Sequence, residues 1–120
     1  MASILVVDDD SEALKATALV VTQAGHQVMA ALGPEAAMEA CRARTFDVVV
    51  SDVSLRHMDG HDLARWVASH YADTRTVLTS GLDLVWQCLE CSYPERCVLI
   101  RKPFRSEELI ETIERSLVTG

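Results

Sequence analysis

Four small clusters of polar residues stand where apolar runs end. Asp8-Asp9-Asp10 follows Ile4-Leu5-Val6-Val7, and Asp52 follows Val48-Val49-Val50-Ser51. Thr79-Ser80-Gly81 closes the run from Thr76, and Arg101-Lys102-Pro103 follows Cys97-Val98-Leu99-Ile100. Brought together without water, Asp8, Asp9 and Asp52 would repel one another, so a divalent cation is their natural counter-charge. Donors that are all oxygen favour Mg2+, which keeps several waters and takes few carboxylates. A carboxylate beside such an ion can attack a phosphoryl group as a nucleophile. Lys102 can neutralise phosphoryl oxygens and Ser80 can donate a hydrogen bond to one. Gly81 leaves room for its own N–H to do the same.

Convergence of these clusters requires a particular scaffold. Short β-branched runs at residues 4–7, 27–31, 46–51, 76–79 and 97–100 read as strands, the second being the weakest. Their apolarity is continuous rather than alternating, which implies a parallel sheet covered on both faces. Helical patterns lie between them. One covers 12–23, with Ser11 as a good N-cap type and Gly25 as its stop. Pro34 suits the first turn of a helix running to about Arg44. A third, over 61–71, sets Leu63, Trp66, Val67 and His70 on one stripe. The last, over 105–118, places Leu109, Ile110, Ile113 and Leu117 at helical spacing, with Glu107 and Glu108 in its first turn. Five βα units result, a doubly wound α/β sandwich. In such sheets ligands bind beyond the carboxyl ends of the strands, where the four clusters sit.

Composition narrows the possibilities. The 120 residues point to one domain over 1–120, large enough to bury roughly two-thirds of its unfolded surface without disulfide or metal staples. A formal charge of −7 without a basic run disfavours direct nucleic-acid binding. No apolar stretch is long enough for a membrane span, and the first ten residues do not read as a secretory signal. Cysteines at 41, 88, 91 and 97 then read as reduced thiols of a cytoplasmic protein.

Taken in order, Val6-Val7-Asp8-Asp9, Asp52 with Met58-Asp59-Gly60, Thr79-Ser80-Gly81 and Lys102-Pro103-Phe104 resemble the receiver domain of bacterial two-component response regulators. Each motif alone is weak. All four, with 43, 28 and 22 residues from Asp9 to Asp52, Ser80 and Lys102 in turn, are specific, and the similarity runs the length of the chain. The resemblance implies a flavodoxin-like (βα)5 fold with strand order 2-1-3-4-5. It also implies a signalling switch rather than an enzyme, fed by a sensor histidine kinase or a phosphotransfer protein. Asp52 would be the phosphoacceptor. Asp8, Asp9, Asp52 and the Ser54 carbonyl would hold Mg2+, while Val53, Ser80, Gly81 and Lys102 would hold the phosphoryl oxygens. A cis Lys102–Pro103 peptide is implied as well.

Some positions depart from the family pattern. Arg56 stands where proline is common, and Leu99 replaces the aromatic residue that couples the hydroxyl to the output face. Ser54 and Leu82, at positions that tune hydrolysis, carry no charge. Over 82–91, Leu82, Val85, Trp86 and Leu89 form one apolar stripe, and Leu84, Cys88 and Cys91 a second. One stripe would cover the sheet. The other, with the fifth strand and the last helix, would offer a homodimer or output-protein surface.

Plainer readings stand beside these. Asp8-Asp9-Asp10 alone could be a helix-capping turn, Ser80 a strand-end hydroxyl, and Lys102 a solvated lysine. Asp59 before Gly60 reads as a turn former. Cys88-x-x-Cys91 with Cys97 lacks nearby histidines for zinc and falls late in a helix for a redox dithiol, so small apolar packing is the reading kept. A phosphohydrolase that passes through an aspartyl phosphate would want a second acid where Ser54 stands. The other alternative is an interaction module that resembles a receiver but is never phosphorylated.

Overall fold

Period-two alternation in the first strand explains the layering. The computed structural model describes residues 2–55, 58–80 and 97–118. In β1 (Ser3–Asp8), Ile4 and Val6 project to one face of the sheet and Leu5 and Val7 to the other, and all four are buried. Both faces must therefore be covered by helices, as the chain provides.

The described elements run β1, α1 (Ser11–Gln23), β2 (Gln27–Leu32), α2 (Pro34–Ala43), β3 (Val48–Asp52), α3 (Gly60–His70), β4 (Arg75–Ser80), β5 (Cys97–Arg101) and α4 (Ser106–Val118). The five strands are parallel in the order β2-β1-β3-β4-β5. On one face Leu14 and Val21 of α1 and Leu109 and Ile113 of α4 pack over Ile4, Val6, Val48, Val50 and Val77. On the other, Ala37 and Cys41 of α2 and Leu63 and Val67 of α3 pack over Leu5, Val7 and Val49. Cys41 and Cys97 are both buried, and Cys97 packs with Val53, Ala64 and Leu78, in keeping with the packing role read for it. The expected helix over 82–91 and its two stripes, including Cys88 and Cys91, lie outside the described residues. Among the described residues no helix is long and apolar enough to cross a membrane.

Two local expectations need correction. The cap of α1 is Asp10 rather than Ser11: Asp10 is extended, and its carboxylate accepts from the Glu12 N–H. Asp8 Oδ1 accepts the Asp10 N–H at 2.9 Å, which holds Asp10 outside the helix and leaves Ser11 as the first helical residue. The buried face of α3 is also turned from the expected stripe. Gly60, His61 and Ala64 join Leu63 and Val67 inside, whereas His70 is exposed. Small residues at 60 and 64 let the helix approach the sheet on that side. Trp66, half-buried against the core, instead stacks on His70 at 4.8 Å between ring centroids.

Candidate functional site

Strand order reverses direction between β1 and β3, and the carboxyl ends of these neighbours form the crevice in which such sheets take ligands. Asp8 ends β1 and Asp52 ends β3. Lys102 follows the last residue of β5, and its Nζ stands 3.5 Å from Asp52 Oδ2, the lysine side chain 36% exposed and the aspartate 15%. The Lys102 N–H donates to the carbonyl of Ser80 at 2.6 Å, tying the β5 end to the buried end of β4. The Lys102–Pro103 peptide is cis.

The loop after β3 is anchored from two sides. The Val53 N–H donates to the Thr79 carbonyl at 2.9 Å, and the Val53 carbonyl accepts from the Gly60 N–H at 2.7 Å. A Val53 amide that turned to a phosphoryl oxygen would exchange its bond to Thr79. Ser54 is exposed, with its N–H 3.4 Å from Asp52 Oδ1. Asp59 caps α3, accepting the Asp62 N–H at 2.9 Å, which agrees with its reading as a turn former. Gly81, Arg56 and Leu82 lie outside the described residues. Leu99, in the place of the expected aromatic, is half-buried against Val53, Ala64, Leu78 and Cys97.

Asp9 carries the largest local surprise. Its Oδ1 lies beside Gly33 at the start of α2, 3.2 Å from where a Cβ on that glycine would stand. Gly33 has a φ of 96°, so a side chain there is disfavoured on conformational grounds as well. Among the described residues no three acidic, histidine or cysteine side chains are drawn together closely enough to hold a metal ion. The donor chemistry nonetheless fits a hard dication, because every nearby ligand atom of Asp8, Asp9 and Asp52 is a carboxylate oxygen.

Charge supplies a second sign of fit. Burial pushes the Asp8 carboxyl above the ordinary aspartate value of 3.8. The Asp10 N–H pulls it back, the Asp52 charge raises it, and the Lys102 ammonium opposes that rise. A folded-state value above the unfolded one gives stability that is present below pH 3.8 and is lost as pH rises through the folded value. Ionisation of Asp8 therefore costs the fold stability that a cation would restore. Asp8→Asn keeps the acceptor for the Asp10 N–H and removes the charge. Without divalent cations it should melt higher than the wild type at pH 7, and the gap should close as the pH is lowered toward 3. A lower melting temperature at pH 7 would show that the charge is already balanced.

Comparison with known proteins gives the same direction. Residues 4–114 match the family model for the response regulator receiver domain. The chain is 25% identical over 120 residues to the response regulator receiver protein CpdR of Brucella abortus, covering all of both chains. It is 27% identical over 114 residues to the response regulator protein FleR of Pseudomonas aeruginosa, covering 95% of this chain and 24% of that one. The chain thus spans about a quarter of one of these relatives and the whole of the other. Among solved structures, the beryllofluoride-activated DrrB receiver domain is 29% identical with a TM-score of 0.83, over 98% of this chain and 97% of that one.

Proposed function

The chain belongs to the receiver domain family of two-component response regulators, and from that premise we propose that it is a phosphoryl-accepting switch with Asp52 as the acceptor. The observation that carries this is the Asp52 carboxylate, mostly buried at the crevice end of β3, facing the Lys102 ammonium at 3.5 Å. One Asp52 oxygen attacks the phosphorus of a phosphohistidine or small acyl phosphate in line. The new O–P bond forms as the bond to the donor's nitrogen or oxygen breaks.

Lys102 balances the charge that gathers on the phosphoryl oxygens. Ser80 and the N–H groups of Val53 and Gly81 are the further donors to them. Asp8, Asp9, Asp52 and the Ser54 carbonyl are the groups that would hold Mg2+, with Asp9 leaving its place beside Gly33. When bound, the ion supplies positive charge to the transferring group. We take residues 1–120 as one receiver unit of a cytoplasmic signalling protein, switching rather than turning over substrate, with a histidine kinase or phosphotransfer protein as donor.

Output is assigned to the β5–α4 side. Lys102 lines a cavity of about 700 Å3 there, with Leu99, Arg101, Glu108, Thr112 and Arg115. The same lysine thus faces both the acceptor and this surface, so drawing it toward a phosphoryl group would alter what the surface presents to an output protein or a second copy.

Intact mass after incubation with acetyl phosphate tests the reading. A gain of one phosphoryl group that needs Mg2+ and is absent in Asp52→Asn is the expected result. A gain that persists in Asp52→Asn would move the acceptor elsewhere. With no gain in the wild type, Mg2+-dependent beryllofluoride binding separates rapid loss of the group from a module that only binds partners.

A further inference from the structure

Strand β2 stands at the edge of the sheet, beside β1 alone among the described strands. Parallel ladders point the main-chain groups of alternate residues to opposite sides. The Gln27 N–H donates to the Ala2 carbonyl and the Gly33 N–H to the Asp8 carbonyl, so residues 27, 29 and 31 spend their groups on β1. Val28, Ala30 and Leu32 therefore turn their N–H and C=O groups outward, where among the described residues no strand meets them. Edge strands are normally guarded by charge, proline or a bulge. The sequence Gln27-Val28-Met29-Ala30-Ala31-Leu32 contains no charge and no proline, and its six residues pair with β1 in unbroken register. Met29 is 37% exposed and Leu32 57%.

We propose that two copies of this chain join antiparallel through β2, extending the five-stranded sheet to ten strands. The pattern is self-complementary about Ala30. With Ala30 on the two-fold axis, Val28 of one copy faces Leu32 of the other, and each such pair exchanges two hydrogen bonds. Val28, Ala30 and Leu32 lie on one face, so their side chains form an apolar ribbon across the junction. Charge also favours a second copy: in a chain of net charge −7, an uncharged strand lets two copies meet without placing like charges opposite each other. A strand pair of this length buries less than a standard interface of about 1,600 Å2, so association should depend on concentration. The interface lies at the opposite edge of the sheet from β5 and does not depend on the phosphoryl reading.

Sedimentation across a concentration series, with amide hydrogen exchange on the same samples, tests this. The wild type should self-associate, and as it does the amides of Val28, Ala30 and Leu32 should become protected. Those of Met29 and Ala31, already bonded to β1, should be protected throughout. Ala30→Pro removes one outward N–H without touching the β1 ladder, so it should stay folded by circular dichroism and remain monomeric. Leu32→Lys, which sets a charged side chain against Val28 of the other copy and interrupts the apolar ribbon, should weaken association in the same direction. A wild type that stays monomeric at every concentration overturns the proposal. So does a dimer in which the three outward amides stay exchangeable, since that dimer uses another face.

Discussion

Gly60→Ala is expected to lose about 2–3 kcal/mol of stability, the upper part of the roughly 1–3 kcal/mol that forcing extra volume into a packed site costs. At this chain length that is roughly a 10 °C fall in melting temperature. A Cβ at position 60 would stand 2.7 Å from the Asp52 carbonyl oxygen and 2.8 Å from the Val53 Cα, with Leu78 Cδ2 at 3.1 Å. The first two are backbone atoms at the end of β3, so no side-chain rotation clears them. The start of α3 must move away, which stretches the 2.7 Å bond from the Gly60 N–H to the Val53 carbonyl. That bond anchors the loop carrying Val53 and Ser54 behind the acceptor. Phosphoryl uptake from acetyl phosphate should therefore slow along with the loss of stability. Gly25→Ala is the control, since Gly25 has a φ of 98° but nothing within 4 Å of its Cβ position. Its penalty should be conformational, about 1 kcal/mol, with uptake unchanged. Equal melting temperatures for the two variants would show that α3 can yield without strain.

The close approach at Gly60 was not legible in the sequence, and the reason is physical. An Asp-Gly pair ahead of a helix reads as capping chemistry, which Asp59 supplies. Nothing in the pattern says that the glycine also faces backbone. The same blindness turned the expected face of α3, because hydrophobic periodicity weighs large side chains, whereas Gly60 and Ala64 are buried through their smallness. At α1 both Asp10 and Ser11 are good capping types. The choice falls to Asp10 through a bond from its N–H to Asp8, a contact set by the turn geometry rather than by residue type.

What the sequence did carry, it carried through burial. Strands covered on both faces must be apolar without alternation, and all five runs became neighbouring parallel strands in the order that the family resemblance implied, although the edge strand β2 buries only Ala31. Polar residues at the ends of such runs have few places to go except the sheet's carboxyl edge. Asp8, Asp52, Ser80 and Lys102 accordingly meet there. Asp9 shares the address but not the direction. Side-chain rotation is decided by local partners, and the open space over Gly33 gives its carboxylate a resting place that spacing could not reveal.

Lys102→Ala should split two properties that the crevice otherwise couples. The ammonium is the positive charge beside Asp52, and it also opposes the rise of the Asp8 carboxyl. Without it the corner is more negative, so Mg2+ should bind at least as tightly as in the wild type by calorimetry. The Asp8 carboxyl should rise further when the cation is absent. A phosphoryl mimic should behave in the opposite way. A hydrogen bond to a charged group is worth about 1.5–3 kcal/mol, so beryllofluoride should bind roughly 10- to 100-fold more weakly in the presence of Mg2+. Any response of the β5–α4 cavity to the mimic should be lost as well, because Lys102 is the residue that lines both. Lys102→Arg restores the charge but not the reach of a single flexible ammonium, so it should recover mimic binding only in part. If Ala weakened Mg2+ and beryllofluoride by the same factor, the lysine would be acting on the metal site as a whole. It would then be a support for the crevice rather than a direct hold on the transferred group.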